Sequence, residues 1–512
     1  MVEDTRRPGL LSRERIIAGP SFNRWLIPPC ALAIHLCIGQ AYAFSVFNVP
    51  LSRALGVSRA APGDWKLTQL GWIFTLAIVF LGLSAAFGGR WLERVGPRRS
   101  GVTSALCWSS GFVLASIGVR THQIWLLYIG YGVLGGCGLG LGYITPVSTL
   151  IKWFPDQRGM ATGLAIMGFG GGALIASPLS QILMRRFATP HSVGVWQTFL
   201  VLGAVYLVFM LCGAFGFRVP RDGWTPAGWK PPTGVHAPPA AFHVHPTTAI
   251  RTPQFYLLWG VLFLNVTAGI GILGQAAAMI QEVFAGRVAG PAAAGFVGLL
   301  SLFNMAGRFA WSSASDRLGR KKTYAVFFVL GPVLYLLVPW TGAHGSVPLF
   351  VATAAVILTM YGGGFATIPA YLSDVFGTQF VGAIHGRLLT AWSLAGVAGP
   401  VVVNYLREYE IGRHVPRAHA YDVSMYVMAG ALVLGFACNA FVRPVDTKFH
   451  MTAEQLAVER KRLTPAASAT PATETTAVAP GGHGIVVVAW LAVGLPLAWG
   501  VYSTVIKALA LF

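Results

Sequence analysis

Long apolar runs separated by short polar turns recur along the whole chain. Twelve precede residue 445, near 25–47, 68–89, 100–119, 123–151, 159–184, 195–217, 254–281, 292–313, 323–341, 347–372, 380–404 and 422–442, and a thirteenth runs from about Gly484 to Ile506. Each is long enough to cross a hydrocarbon core, which takes about 20 residues at about 1.5 Å apiece. A helix satisfies its own backbone in that medium, so the pattern predicts an all-α polytopic membrane protein. The polar turns carry a second signal. Glu93-Arg94-Val95-Gly96-Pro97-Arg98-Arg99, after the second run, returns 223 positions later as Asp316-Arg317-Leu318-Gly319-Arg320-Lys321-Lys322. Gly142-Tyr143 and Gly364-Phe365 stand 222 apart, as do Phe154 and Phe376, and Pro178 and Pro400; Gly159 and Gly163 match Gly382 and Gly386 at 223. Two six-helix halves on one plan are expected, over 25–217 and 252–442. Around them the sequence sets a polar segment (1–24), a connector (218–251), a polar tether (443–483) and an accessory membrane helix (484–512).

Composition agrees with the pattern. With 55% hydrophobic residues, 11% charged and a mean hydropathy of +0.63, the chain lacks the polar surface of a soluble domain of 512 residues. A net charge of +20 would point to nucleic acid in a soluble protein. Here its distribution is topological: with the amino terminus inside, 24 of the 37 Lys and Arg fall in cytoplasmic segments through residue 483. The expected setting is the cell (inner) membrane, with the amino terminus cytoplasmic and the carboxyl terminus outside. The polar stretch Met1 to Arg24 is unlike a cleavable signal peptide. Six cysteines fall in spans without paired spacing and read as packing residues. The connector holds Pro-Pro twice and His236, His243 and His245, a flexible linker before a metal site. With no phosphate-cradling loop, metal constellation or catalytic triad in view, no cofactor and no enzyme activity are expected.

Twelve spans in two halves, with a D/E-R-x-G-[RP]-[RK] turn after the second and eighth, resemble the major facilitator superfamily over roughly residues 20–445. Glu93 replaces the usual Asp, Pro97 the usual Arg, and Ser312 stands where Gly is usual. The resemblance implies that Glu93, Arg94, Asp316 and Arg317 belong to a cytoplasmic latch. Lys152-Trp153-Phe154-Pro155-Asp156-Gln157-Arg158-Gly159-Met160-Ala161-Thr162-Gly163, with Gly39-Gln40-Ala41-Tyr42-Ala43-Phe44-Ser45-Val46-Phe47 and Gly382-Ala383-Ile384-His385-Gly386, is similar to the oxalate/formate antiporter family of small-carboxylate carriers. Asp156 and Arg158 join the candidate latch. The final helix resembles a small membrane subunit found beside such transporters, fused here; its simplest expected role is a bilayer-facing accessory helix.

Arg308 is the leading candidate for chemistry. It lies eight positions before Asp316, about 12 Å up the helix from the turn, and an arginine at that depth is costly unless it faces a partner or a cavity. Snorkelling to the interface is the alternative. All 17 Asp and Glu fall in tails, loops or helix ends, so the expected counter-ion is the transported anion itself, held bidentately. Asn304, one turn earlier, is placed to orient the guanidinium or bond substrate, or simply to pack between helices. Tyr42, Tyr143, Tyr361, Phe365 and Trp392 match the aromatic-lined cavity the resemblance implies; each alone reads equally as lipid or helix packing. Arg387 is a second cation, near the cytoplasmic end, where a gate role fits better than substrate contact. His35 and His385 are the two candidate proton carriers, against a structural role for each. Dicarboxylate exchangers of the resembled family carry a lysine in the middle of the eleventh helix, and Leu388-Leu389-Thr390-Ala391-Trp392-Ser393 contains none, so a monocarboxylate becomes at least as good a substrate as oxalate. Glycine clusters at 135–142, 168–172 and 362–364, with Pro146, Pro178, Pro369 and Pro400, mark either moving segments or tight packing. Exchange of small carboxylates by alternating access is the expected function; proton-linked monocarboxylate uptake and a non-transporting sensor or scaffold are the alternatives. Partners are a small carboxylate and the lipid bilayer, with no nucleic acid.

Overall fold

The computed structural model describes residues 9–221, 224–229, 242–288, 290–463 and 483–509. Among them are thirteen helices long and apolar enough to cross a membrane. In chain order these are α1 Arg24–Leu51, α2 Leu67–Val95, α3 Pro97–Arg120, α4 Ile124–Trp153, α5 Arg158–Phe187, α6 Val195–Gly216, α7 Pro253–Val283, α8 Ala292–Leu318, α9 Arg320–Ala343, α10 Val347–Phe376, α11 Val381–Gly412, α12 Arg417–Phe441 and α13 Gly484–Ala508. No strand forms among the described residues, only isolated bridges such as Ile17 with Val219 and Val244 with His450. The two Pro-Pro pairs of the connector, its His236 and the spacer at 464–482 lie outside the described residues.

Burial follows the sequence pattern. Helices α1, α5 and α10 are apolar on nearly every face and lie in the interior, whereas α9 and α12 turn much of their surface outward, with Val329, Val333, Leu336, Leu434 and Phe441 exposed. Such outward apolar side chains suit lipid rather than water. The halves meet along two seams, α5 against α8 and α2 against α11. Small residues make both close: an ideal Cβ on Gly89 of α2 would stand 2.7 Å from the Ala383 Cα of α11, and one on Gly163 of α5 would stand 2.8 Å from the Arg308 carbonyl oxygen of α8.

Both charged turns are tight. Gly96 and Gly319 have φ of 82° and 85°, a region open to glycine at little cost, and each starts the next helix at once. Three central helices depart from α geometry. Helix α1 passes through a 3-10 stretch at Gly39–Phe47, α4 passes through a π-helical stretch at Tyr128–Gly135 after its first turn, and α11 breaks at Leu389. Such departures free or re-aim backbone groups and recur at functional sites.

The thirteenth helix is mostly outward, as a bilayer-facing accessory helix would be, and one side also packs on α1, α5 and α8. Val493 joins Leu32 and Ala33 of α1, an ideal Cβ on Gly171 of α5 would stand 3.0 Å from Leu497, and one on Gly298 of α8 would stand 2.8 Å from Thr504. The helix therefore crosses the α5/α8 seam diagonally and touches both halves. At the charged-turn face, the segment before the short helix Ala453–Leu463 is fastened to the connector through the Met451 N–H donating to the His243 carbonyl at 2.8 Å.

Candidate functional site

Arg308 sits midway along α8, and none of it is accessible to solvent, so the snorkelling alternative is excluded by its position. Its Nε donates to Asn304 Oδ1 at 3.0 Å, the one-turn spacing placing both on one face. Phe365 of α10 and Phe169 of α5 lie 5.0 and 5.8 Å from the guanidinium, within range for cation–π attraction. The Tyr42 and Tyr143 hydroxyls approach it without closing a well-formed hydrogen bond. Nη1 and Nη2 are buried and have no hydrogen-bond partner. Unmet buried charged donors are costly, and these two are the ones whose parallel geometry fits a carboxylate.

An aromatic box surrounds them. Trp392 of α11 lies 4.5 Å from Phe365, 5.2 Å from Tyr143 and 5.3 Å from Phe169 between ring centroids. Tyr361 and Phe365 stand 5.3 Å apart on one face of α10, and the Tyr42 and Tyr361 hydroxyls meet at 3.1 Å across the two halves. The duplication builds this box: Tyr143 and Phe365 occupy matching places 222 apart, and Phe169 and Trp392 matching places 223 apart. Gly170 provides room for the cation, since a Cβ there would stand 2.8 Å from Arg308 Nε. His35 and His385 lie beside Tyr143, with centroids at 5.4 and 6.0 Å. All seven residues proposed for substrate are thus brought together.

The latch candidates divide. Asp316 accepts from the backbone N–H groups of Gly159 and Met160, both at 2.8 Å, and from Arg320 at 2.6 Å. It caps the amino terminus of α5 from the other half, where a carboxylate is favoured by both free N–H groups and the helix dipole. Arg158 pairs with Asp374 of α10 at 3.2 Å, and Arg320 also reaches Asp374 at 3.2 Å. Glu93 instead stays within its half, bound by Lys152 at 2.7 Å and Ser148 at 3.1 Å. Asp156 holds Arg24 at 2.8 and 2.9 Å, also within one half. Arg94 and Arg317 are exposed and carry no ion pair among the described residues. Arg387 does not join the Arg308 box; it donates to the Pro246 carbonyl at 2.6 Å. Nearby, His245 in the connector is held below its ordinary pKa by burial and by the neighbouring Arg90 cation.

Twelve candidate membrane helices in two matched halves, with a thirteenth beside them, coincide with a family model: the description Major Facilitator Superfamily matches residues 30–400 and 289–512. The chain belongs to the Major Facilitator Superfamily. As a superfamily member it is similar to the oxalate:formate antiporter of Oxalobacter formigenes, 28% identical over 85% of this chain and 96% of that protein. It is also similar to human monocarboxylate transporter 11, 26% identical over 80% of each chain, and to apicoplast pyruvate carrier 1 of Toxoplasma gondii, 23% identical over 64% of this chain and 68% of that one. Solved structures share the fold: the Escherichia coli fucose:proton symporter superposes with a TM-score of 0.60 at 14% identity, covering 83% of this chain and 100% of that one. The proton:xylose symporter superposes at 0.61 and 15% identity, covering 85% and 98%. This is a multi-pass membrane transporter of a superfamily whose similar members are not enzymes.

Several residues that line the Arg308 box or pair with the latch candidates escaped the sequence reading. Phe169 lies in Gly168-Phe169-Gly170-Gly171-Gly172, where glycines draw attention to packing, yet the 223 offset from Trp392 marks it. Asp374, Arg320, Lys152 and Arg24 sit at helix ends, where any charge reads as interfacial; only the packing of the helices shows their ion pairs with Arg158, Asp316, Glu93 and Asp156.

Proposed function

We propose that the protein carries small carboxylates across the membrane by alternating access, with the substrate completing the coordination of Arg308. The observation that carries this reading is the pair of buried, unpartnered guanidinium nitrogens inside an aromatic enclosure. A carboxylate supplies two acceptors to those two donors and cancels the charge that burial penalises. On this reading the Tyr42, Tyr143 and Tyr361 hydroxyls are the donors for its remaining atoms. Arg98 is the other buried cation among the described residues, and its terminal nitrogens already donate to the Leu10 and Phe215 carbonyls. One free central cation balances one carboxylate, which favours formate, lactate or pyruvate at least as well as oxalate.

Exchange follows from the same electrostatics. Moving the site while Nη1 and Nη2 lack acceptors keeps their full desolvation cost, and a bound carboxylate on either side removes it. The loaded carrier therefore reorients faster than the empty one. The test is counterflow in proteoliposomes with formate, oxalate, lactate and pyruvate. Arg308→Ala is expected to cut exchange by about a hundredfold, the equivalent of about 3 kcal/mol of charge-assisted bonding, and Arg308→Lys to recover little because a point charge lacks the planar fork. Wild-type exchange in both variants would remove Arg308 from the substrate site. Carboxylate binding by the wild type with no flux would favour the sensor alternative.

A further inference from the structure

The two seams between the halves carry opposite charge at the charged-turn face. At the α5/α8 seam the Asp316 carboxylate crosses to the Gly159 and Met160 N–H groups, and Asp374 stands between Arg158 and Arg320. At the α2/α11 seam the matching carboxylate, Glu93, is bound by Lys152 and Ser148 of its own half. Two cations stand there instead. Arg90 of α2 and Arg387 of α11 occupy places where the other half of the repeat, 223 positions away, has Ser313 and Leu164. These additions belong to one seam alone.

A cleft opens beside them. It holds about 420 Å³ of unfilled space reaching to solvent, and its walls include Arg90 and Arg94 of α2, Phe380 of α11, His245 of the connector, and Glu459 and Arg462 of the short helix Ala453–Leu463. Arg90 and Arg94 lie one turn apart on one face of α2, and neither has a hydrogen bond or ion pair among the described residues. The two carboxylates at the cleft are already engaged, Glu93 by Lys152 and Glu459 by Arg462 at 2.9 Å. Positive charge is therefore in excess. His245 registers it: burial and then Arg90 hold its pKa below the ordinary value, Arg387 and Arg462 add to that effect, and Glu459 opposes it. The ring is fixed by Nδ1, which accepts from the Thr247 N–H at 3.3 Å, so the neutral form carries its proton on Nε2 and remains a donor.

A cleft lined by one sign of charge concentrates counter-ions. A carboxylate offers two oxygens in one plane and suits a single guanidinium fork, whereas a phosphate group offers three strong acceptor oxygens and up to two negative charges, enough to bridge donors on separate elements. We propose that this cleft binds a phosphate group, which ties Arg90 and Arg94 of α2 to His245 of the connector and holds the α2/α11 seam closed, as Asp316 holds the α5/α8 seam. The tie reaches α11 because Arg387 donates to the Pro246 carbonyl next to His245 at 2.6 Å. The site is separate from the Arg308 box and does not rest on the carboxylate reading. A soluble phosphate and a lipid headgroup share the required chemistry, and the two arms of the test separate them.

The measurement is the spin-label distance between the charged-turn ends of α2 and α11 in the full-length protein, first in detergent titrated with inorganic phosphate, then in nanodiscs of phosphatidylcholine with and without phosphatidylglycerol. Inorganic phosphate is expected to shorten and narrow the distribution with a dissociation constant below about 1 mM, while chloride at equal ionic strength does not. Arg90→Gln is expected to weaken this response at least about tenfold. Arg317→Gln, on the other turn, is expected to keep it. Arg90→Glu supplies a carboxylate where the phosphate would sit and should hold the seam closed in phosphate-free buffer, a gain that misfolding does not imitate. Closure by phosphatidylglycerol alone, lost in Arg90→Gln, would assign the phosphate group to lipid. No response to either probe, equal responses in Arg90→Gln and wild type, or an Arg90→Glu seam no more closed than that of phosphate-free wild type overturns the proposal.

Discussion

The two copies of the charged turn have nearly the same sequence and hold opposite kinds of contact. Glu93 ends α2 and spends its carboxylate on Lys152 and Ser148 of its own half. Asp316 ends α8 and reaches across to the first backbone N–H groups of α5. The partners are inverted as well: Lys152 and Asp374 occupy matching positions 222 apart with opposite charge, so a cation faces the first turn where an anion, bridged by Arg320 and Arg158, stands near the second. Duplication supplied two equivalent turns, and charge substitution made one a fastening within a half and the other a fastening between halves. The asymmetry continues inward. Eight positions before Asp316 is Arg308, and eight before Glu93 is Ala85, so the seam with the cross-half carboxylate contact is also the seam that holds the buried Arg308.

The strongest way to break this comparison is to remove each carboxylate in turn. Asp316→Asn is expected to cost the closed charged-turn face about 2–4 kcal/mol, a population shift of roughly thirtyfold or more, because charge-assisted bonds to Gly159, Met160 and Arg320 weaken together. Spin-label distances between the neighbouring ends of α5 and α8 should broaden and lengthen. Glu93→Gln should leave that distribution unaltered and lower stability by about 1–2 kcal/mol; equal responses would erase the distinction between the turns.

A second comparison sets Gly170 against Ser393, its counterpart 223 positions on. Gly170→Val places a branched side chain where a Cβ alone would stand 2.8 Å from Arg308 Nε, and should weaken formate or lactate binding at least about tenfold, about 1.4 kcal/mol. Ser393→Ala loses a bond to the Ile78 carbonyl and should lower thermal stability by about 1 kcal/mol while binding holds. Equal binding by Gly170→Val and wild type would mean that the guanidinium does not depend on that gap.

Smaller effects sharpen the latch. A double-mutant cycle on Arg158 and Asp374 should give a coupling of about 0.5–1 kcal/mol, modest because side-chain exposures of 23% and 38% leave the pair open to solvent. It should shrink further in high salt, and a coupling near zero in low salt would remove the pair from the latch. Arg94→Ala and Arg317→Ala should each change stability and exchange by under about 0.5 kcal/mol, as exposed unpaired side chains do; a large loss of exchange in either would restore it to the latch.

The fold was legible because its cause is written locally. A segment of about 20 apolar residues has few fates other than a membrane helix, and the 222 to 223 offset is a property of residue order. Arg308 was legible for the same reason, since depth along a helix is a count of residues from the turn. The exposure of Arg94 and Arg317 was not, because a charged turn states only that charges lie near an interface. Which of them turns inward depends on where the neighbouring helix ends. Nor was the bridging position of α13, whose apolar surface is compatible with lipid on every side; small residues at Gly171, Gly298 and Gly500 admit it to the α5/α8 seam.

By itself, the sequence determined thirteen spans, two matched halves and a cation at mid-depth with no acid at that depth to meet it. The tertiary structure decided what that cation meets. Tyr42 and Tyr361 touch across 319 residues, and Phe169 reaches Trp392 only because α5 and α11 lie on opposite sides of one box. Hydrophobic periodicity specifies that a face is buried and not against which neighbour. Partnership between distant side chains comes from how whole helices pack, and in this molecule that packing leaves two guanidinium nitrogens without an acceptor.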